Sequence, residues 1–318
     1  EYEAIDILAD LGADRLVLNV LIPTAGTEFA EVPNPDLQEV RKVMEYARQV
    51  FVGKPLIVGC MRPTGKYRSD FDEMAIEVGV DRIVQPTAKA RAKAEKAGMK
   101  ISYLYECCAL DTKEYDKRHP GHKKVSVPLD QSGGGCCSSA APKADGKTRL
   151  ALDVSGPSHR TTSKCGSTAT TMDSKMRLSL DSAVKLDLKQ SKLQPKTKTV
   201  YLMNSGGCEY NCSFCSQAKD ASSEEDKLSR ISWPEYESED VLAALNEKEN
   251  AYKRVCMQVV NTKGALEKIP DTVRMIREQA PNTKIAMTIR TYKMSDIDAI
   301  FAAGADEVGL SIDAIDPK

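Results

Sequence analysis

The chain repeats one short pattern three times, a glycine followed two residues later by an aspartate. The copies are Gly12-Ala13-Asp14, Gly79-Val80-Asp81 and Gly304-Ala305-Asp306, and each lies between a helical pattern and a short apolar run. Glycine at such a junction suits the left-handed residue that ends a helix. The apolar run suits a strand that is buried on both faces. Helices that alternate with buried strands predict an α/β protein built from parallel β/α units.

Eight apolar runs predict strands in two groups. They lie near 15–21, 55–60, 81–86 and 100–105, and near 199–204, 254–260, 283–289 and 307–312. This alternation predicts a TIM-like (β/α) barrel, present as two partial barrels joined by a flexible linker. In such barrels the chemistry takes place at the carboxyl ends of the strands. Functional residues are therefore expected directly after each run.

Composition divides the chain into three segments. Residues 1–118 and 176–318 carry the β/α patterns, whereas residues 119–175 are rich in Gly, Ser, Thr and Lys. No aromatic residue occurs between Tyr115 and Tyr201. Such a segment cannot bury enough apolar surface to offset the loss of chain entropy on folding. Residues 119–175 are therefore predicted to be a flexible linker between the two globular parts.

The charge balance and the cysteine count limit the classes of function. The 45 Lys and Arg residues match the 46 Asp and Glu residues, which argues against a nucleic-acid-binding protein. There is no apolar run long enough to span a membrane. In a chain of this length, ten cysteines indicate metal or redox ligands in a reducing cytoplasm rather than a disulfide framework. Because the chain starts at Glu1 and ends inside an apparent repeat unit, a fragment is expected.

Three cysteines follow the predicted strand 199–204 with the spacing C-x3-C-x2-C. They are Cys208, Cys212 and Cys215. Three thiolates on one loop can hold three corners of a [4Fe–4S] cluster and leave the fourth iron open for a ligand. Zinc is an alternative, although it normally needs a fourth Cys or His and no histidine lies within forty residues. Buried cysteines that are close by coincidence are the second alternative, and both stay open here.

The same loop resembles the radical S-adenosylmethionine (radical SAM) superfamily. Its signature places an aromatic residue before the third cysteine, and Cys208, Cys212, Phe214 and Cys215 fill it. The resemblance implies a β/α barrel that binds a [4Fe–4S] cluster, with S-adenosyl-L-methionine on the open iron. It further implies reductive cleavage of that cofactor to a 5′-deoxyadenosyl radical, which abstracts hydrogen from an unactivated carbon.

Neighbouring segments resemble biotin synthases and, more closely, the biotin-synthase-like component of two-protein lipoyl synthases. These segments are Ser216–Ala218, Leu228–Pro234, Lys253–Gln258, Met287–Arg290 and Gly309–Asp313. The resemblance implies a sulfurtransferase that inserts sulfur into an octanoyl chain on a lysine of a lipoyl carrier protein. The implied partners are that carrier protein, a second radical SAM component and a reductant such as ferredoxin. One alternative is biotin synthase or another biotin-synthase-like radical SAM enzyme that acts on a small molecule. The other alternative is a non-catalytic iron–sulfur protein.

The resemblance also implies positions that bind S-adenosylmethionine. The candidate residues are Phe214, Gln258, Asn261, Arg290, Ser311 and Asp313. The backbone around Phe214 would contact adenine, the strand end Gln258–Asn261 the methionine amino group, and Ser311 and Asp313 the ribose. The Gly-Gly-Glu motif usual in the family is not evident at 258–261. Asp313 has a helix N-cap as its alternative role.

The first part of the chain resembles the carboxyl half of the same superfamily. Gly26-Thr27 corresponds to a Gly-Thr-Pro turn in which Glu28 replaces the proline. Because Cys60 and Arg62 follow a predicted strand, they are candidate catalytic residues on the substrate side.

An auxiliary iron–sulfur cluster is a further candidate cofactor, as sulfur-inserting relatives carry one. Cys60, Cys107 and Cys108 are its candidate ligands, although their spacing is not tight.

Late-barrel strands precede early-barrel strands in this chain. Two accounts fit that order. Either the chain holds the end of one radical enzyme and the start of a second one fused to it, or its two halves form a single permuted barrel.

Overall fold

The computed structural model describes residues 1–104, 173–192, 195–224, 226–228, 231–291 and 293–312. The elements of the first part are α1 (Tyr2–Asp10), β1 (Leu16–Leu18), α2 (Leu37–Val50), β2 (Leu56–Val58), α3 (Gly65–Val78), β3 (Arg82–Ile83) and α4 (Ala88–Lys96). The strand predicted near 100–105 does not form in its described residues, 100–104. Cys107, Cys108 and residues 119–172 of the predicted linker lie outside the described residues.

The second part begins with a strand that starts at Lys175, the last residue of the predicted linker. Its elements are β4 (Lys175–Leu178), α5 (Leu180–Lys185), β5 (Thr199–Asn204), β6 (Lys227–Leu228), β7 (Ile231–Ser232), β8 (Glu235–Glu237), α6 (Ser238–Glu247), a 3₁₀ turn (Glu249–Ala251), β9 (Arg254–Gln258), α7 (Ala265–Gln279), β10 (Lys284–Ile289), α8 (Met294–Ala302) and β11 (Glu307–Leu310). Four of these strands match the predicted runs of the second group closely.

The three repeated glycines end helices, as the sequence predicts. Gly12, Gly79 and Gly304 have positive φ angles of 76°, 83° and 108° and follow α1, α3 and α8. A residue with a Cβ atom is strained in this conformation, whereas glycine adopts it freely. The chain therefore leaves each helix with a sharp turn and enters the strand that follows.

The first part contains a three-stranded parallel sheet in the order β1-β2-β3. Leu16 and Leu56 are register partners and pack with Ile5, Ala47 and Phe51 in one apolar cluster. A second cluster joins Val58 to Val20, Met44, Phe71, Met74 and Ala75. Leu56 and Val58 are two residues apart on β2, so both clusters lie on the same face of the parallel sheet, which the helices cover.

The second part contains a six-stranded sheet in the order β11-β10-β9-β5-β4-β8. Strands β5, β9, β10 and β11 are parallel, whereas β4 and β8 pair in antiparallel fashion. Among the described strands, β1 and β11 each pair on one side only, so neither sheet closes into a barrel. The predicted α/β class with parallel sheets is confirmed, and the description as two partial barrels stays a prediction.

One face of the larger sheet carries the main core. Val255 and Met257 of β9 pack there against α6 and α7, together with Ile285 and Met287 of β10. Side chains alternate between the faces of a strand. The opposite face therefore receives the intervening residues of β9, Arg254, Cys256 and Gln258.

An ionic cluster joins α7, β10 and β11 at the end of the sheet where β10 begins. Asp306 accepts hydrogen bonds from Arg277, from Lys284 and from the backbone N–H of Ile285 at 2.7–2.8 Å. Burial alone would raise the pKa of Asp306, but these donors lower it overall. The cluster supports the end of the sheet opposite to the carboxyl ends of the parallel strands.

Within the described ranges, every helix is too short or too polar to cross a bilayer.

Candidate functional site

The three cysteines lie on the loop that leaves β5, at the carboxyl edge of the parallel strands. Asn204, the last residue of β5, is buried and fixes the start of this loop. Its amide Nδ2 donates to the Val260 carbonyl at 2.8 Å, and its Oδ1 accepts from the Val260 N–H at 2.7 Å. The paired hydrogen bonds tie the ends of β5 and β9 together, so the loop emerges from a rigid base.

The segment after β9 supports the cysteine loop directly. Gly206 has φ of 104°, and a Cβ atom at this position would lie 3.1 Å from Cγ2 of Thr262. The Glu209 N–H donates to the Asn261 carbonyl at 2.8 Å. Glycine at 206 therefore permits both the backbone turn and the close approach to Thr262. Asn261, a predicted cofactor residue, supports the loop through its backbone.

Each of the three cysteine sulfurs accepts a hydrogen bond from nitrogen. The backbone N–H of Tyr210 donates to Cys208 Sγ at 3.4 Å, and that of Gln217 donates to Cys215 Sγ at 3.4 Å. Arg290 Nη1 donates to Cys212 Sγ at 3.3 Å. All three thiols are half-buried. The thiolate is the form of cysteine that binds metal.

Three cysteine sulfurs that accept N–H hydrogen bonds fit, by their chemistry, the iron–sulfur cluster that the sequence predicts. Fe–S clusters are held by cysteine thiolates, and hydrogen bonds to the sulfurs tune their potentials. A zinc site would normally need a fourth Cys or His ligand. Within the part of the chain that the structure describes, no group of three or more His, Cys, Asp or Glu side chains converges on one metal position, for a zinc ion and for a cluster alike.

The sheet face away from the main core carries polar side chains next to the loop. Met203, Gln258, Thr288 and Gly309 are register partners on β5, β9, β10 and β11. Gln258 Nε2 donates to Thr288 Oγ1 at 3.3 Å and contacts Cys256 Sγ at 3.6 Å. The predicted residue Gln258 thus lies at the carboxyl edge, on the face where a bound cofactor could reach it.

The other predicted cofactor residues lie along the same edge. Phe214 is half-buried within the loop. Ser311 directly follows β11, and its N–H donates to the Ile289 carbonyl at 2.9 Å. Arg290 directly follows β10, and its guanidinium carbon lies 4.6 Å from the ring centre of Tyr210. Asp313 lies outside the described residues. The structure therefore brings Phe214, Gln258, Asn261, Arg290 and Ser311 to one edge of the sheet.

The two candidate catalytic residues of the first part have different surroundings. Cys60 is exposed after β2, whereas Arg62 is fully buried. Arg62 Nε donates to Asp72 Oδ1 at 2.7 Å, and its terminal nitrogens donate to the carbonyls of Gly59 and Val84 at 2.6 Å. These contacts give Arg62 a structural task at the ends of β2 and β3. Its catalytic role stays a prediction, as does that of Cys60.

A loop of the first part packs against the cysteine loop, which sequence reasoning missed. The Phe29 N–H donates to the Ser213 carbonyl and the Ser222 N–H to the Gly26 carbonyl, both at 2.8 Å. The Ser213 hydroxyl donates to Glu28 Oε2 at 2.7 Å. A cavity of about 440 Å³ lies between the two loops, lined by Gly26, Thr27, Glu28, Asn211, Cys212, Ser213, Ala218, Asp220, Ala221 and Ser222. The Gly26-Thr27 turn was the available sequence signal.

Replacing Gly26 with valine should release this contact. Gly26 has φ of 81°, and a Cβ atom there would lie 2.7 Å from the backbone nitrogen of Ser223. We expect amide hydrogen exchange at Phe29 and Ser222 to accelerate at least about tenfold, because both hydrogen bonds are lost. The matched control is Gly53→Val, since Gly53 has φ of 72° but nothing within 4 Å. Equal exchange in the two variants would mean that the loops do not depend on this approach.

Comparison with known proteins agrees with the chemistry of the loop. Residues 205–318 match the family described as the Radical SAM superfamily. The match begins at Ser205, the first residue after β5, and includes all three cysteines. No curated protein and no solved structure shows significant similarity to the chain. Together, the post-strand thiols, their N–H donors and this match show that residues 205–318 are a radical SAM superfamily domain.

Proposed function

We propose that the chain acts as a radical sulfurtransferase of the lipoyl synthase type. A radical SAM domain implies an enzyme of the radical type, with a [4Fe–4S] cluster and S-adenosylmethionine. The observation that carries the proposal is the loop after β5, on which Cys208, Cys212 and Cys215 each accept an N–H hydrogen bond. The lipoyl assignment is supported by the resemblance of the segments that flank this loop to lipoyl synthase components.

In this chemistry the protein itself would bind the cluster and orient S-adenosylmethionine. Cys208, Cys212 and Cys215 would hold three irons of the cluster and leave the fourth for S-adenosylmethionine. When bound, the cluster and this cofactor supply a one-electron cleavage that generates a carbon radical. Gln258 and Ser311 lie at strand ends beside the loop and would orient the cofactor. Glu28 and Thr27 line the cavity next to Cys212 and would limit the access of water.

The substrate and partners follow from the proposed reaction. The substrate would be an octanoyl chain on a lysine of a lipoyl carrier protein. A second radical SAM component would take part in modifying it. A low-potential reductant such as ferredoxin would supply the electron. Because such clusters are oxygen-labile, a reducing cytoplasm suits this chemistry. An auxiliary cluster as sulfur source belongs to the same proposal, with Cys60 as its candidate ligand among the described residues.

The decisive experiment measures cleavage of S-adenosylmethionine by the anaerobically reconstituted chain. With dithionite as reductant, we expect 5′-deoxyadenosine by mass spectrometry, and none when dithionite is omitted. A loaded cluster that yields no 5′-deoxyadenosine would leave a non-catalytic iron–sulfur protein as the answer.

A second arm of the experiment identifies the substrate. An octanoyl-lysine peptide should gain the mass of sulfur, whereas the sulfur-free precursor of biotin should not. Sulfur insertion into the biotin precursor alone would contradict the lipoyl assignment and favour biotin synthesis.

A further inference from the structure

Arg290 connects two elements of the candidate site. It lies directly after β10 and reaches the cysteine loop, where Nη1 lies 3.3 Å from Cys212 Sγ. Its guanidinium carbon lies 4.6 Å from the ring centre of Tyr210, which is on the same loop. A guanidinium over an aromatic face is held by cation–π attraction, so the ring fixes the direction of the N–H donors. The hydrogen bond to Cys212 and the contact with the Tyr210 ring therefore both hold the guanidinium next to this sulfur.

The donor to Cys212 differs in charge from the donors described for the other two cysteines. Cys208 and Cys215 accept neutral backbone N–H groups, whereas Cys212 accepts from a guanidinium. Arginine stays protonated at all relevant pH values. A permanent positive charge close to a half-buried sulfur is screened less by solvent and salt than a charge on an open surface. Its interaction with added negative charge on this sulfur is correspondingly strong.

We propose that Arg290 is a positioning residue that raises the reduction potential of the cluster by placing its charge at the Cys212 sulfur. The proposal rests on the proposed function, because it requires the cluster. In the step concerned, the cluster gains one electron from the reductant, which is oxidised, and no covalent bond forms or breaks. The cluster and its thiolates become more negative by one unit, and the nearby guanidinium stabilises that product.

The test is a redox titration of the reconstituted chain, followed by electron paramagnetic resonance without S-adenosylmethionine. Arg290→Gln should lower the equilibrium constant for reduction about tenfold. For a one-electron couple this equals about 59 mV toward more negative potential. Arg290→Lys retains the charge and should stay closer to the parent. An unchanged potential in Arg290→Gln with a loaded cluster would overturn the proposal.

The matched control removes one positive charge from an exposed neighbouring position. Lys293 is exposed and lies three residues further along the chain. Lys293→Gln should leave the potential unchanged, because an exposed charge is screened by solvent and salt. A shift in Lys293→Gln equal to that in Arg290→Gln would also overturn the proposal, since it would reflect net charge alone.

A second variant covers the case in which Arg290→Gln fails to bind the cluster. Tyr210→Leu leaves the arginine in place but removes the ring that orients it. We expect its potential to shift in the same direction by a smaller, few-fold change in the equilibrium constant. No shift in this variant would overturn the proposal. Since the titration contains no S-adenosylmethionine, its result is readable even if the cleavage chemistry proposed above fails.

Discussion

The variant Cys212→Ala should lose both the iron–sulfur cluster and the cleavage of S-adenosylmethionine. Cys212 is the middle ligand of the proposed three, and its sulfur receives the hydrogen bond from Arg290. Two remaining thiolates would leave a second iron without a protein ligand. Changes in residues that only support metal ligands lower metal affinity or activity by about 10–100-fold. We therefore expect loss of a ligand itself to lower cleavage by at least about a hundredfold.

The measurement combines iron content, the visible absorption of the cluster and the yield of 5′-deoxyadenosine. Cys256→Ala is the matched control for cluster loading, because Cys256 is a buried cysteine within β9 rather than on the loop. Its iron content should equal that of the parent. If Cys212→Ala kept a normal cluster and normal cleavage, the assignment of this loop as the cluster site would be wrong.

The variant Arg62→Met should destabilise the first part of the chain strongly. The side chains of Arg62 and Asp72 are both 0% exposed, and Nε lies 2.7 Å from Oδ1. Removing the guanidinium leaves a buried carboxylate without its counter-charge and two carbonyls, those of Gly59 and Val84, without this donor. Breaking a buried pair in this way costs about 3–5 kcal/mol of the free energy of unfolding. Urea denaturation followed by circular dichroism measures the change.

A double variant separates the structural role of Arg62 from a catalytic one. In Arg62→Met/Asp72→Leu the buried charge is gone, so part of the lost stability should return. Arg41, which is partly exposed and pairs with Glu45 and Glu77, is the control, and Arg41→Met should change stability far less. If Arg62→Met unfolded at the same urea concentration as the parent yet lost activity, Arg62 would act in catalysis instead.

Local patterns in the sequence predicted much of the fold. The glycines at 12, 79 and 304 end helices, and the run 199–204 forms β5 over the same residues. A helix end and an apolar strand depend mainly on neighbouring residues, whose preferences can be read from the chain. The cysteine spacing is equally local, because all three proposed ligands lie on one loop. Fold class and the position of the proposed cluster were therefore accessible without coordinates.

Strand pairing was not accessible in the same way. The antiparallel strands β4 and β8 join the edge of the larger sheet beside β5, and neither was predicted. Both are short, and β8 carries the sequence Glu-Tyr-Glu, without an apolar run. Such a segment pairs through its backbone once an edge is available. Its partner is decided by the assembled sheet.

The identities of the proposed cysteine ligands and of the helix-ending glycines follow from the sequence, whereas the contacts that surround these cysteines follow from the tertiary structure. Arg290 and Cys212 are 78 residues apart, and Glu28 and Ser213 are 185 residues apart. The burial of Arg62 also requires three separate segments to meet. Spacing and periodicity describe neighbours along the chain. Charge placement and burial depend on which distant segments pack together, and only the folded chain decides that.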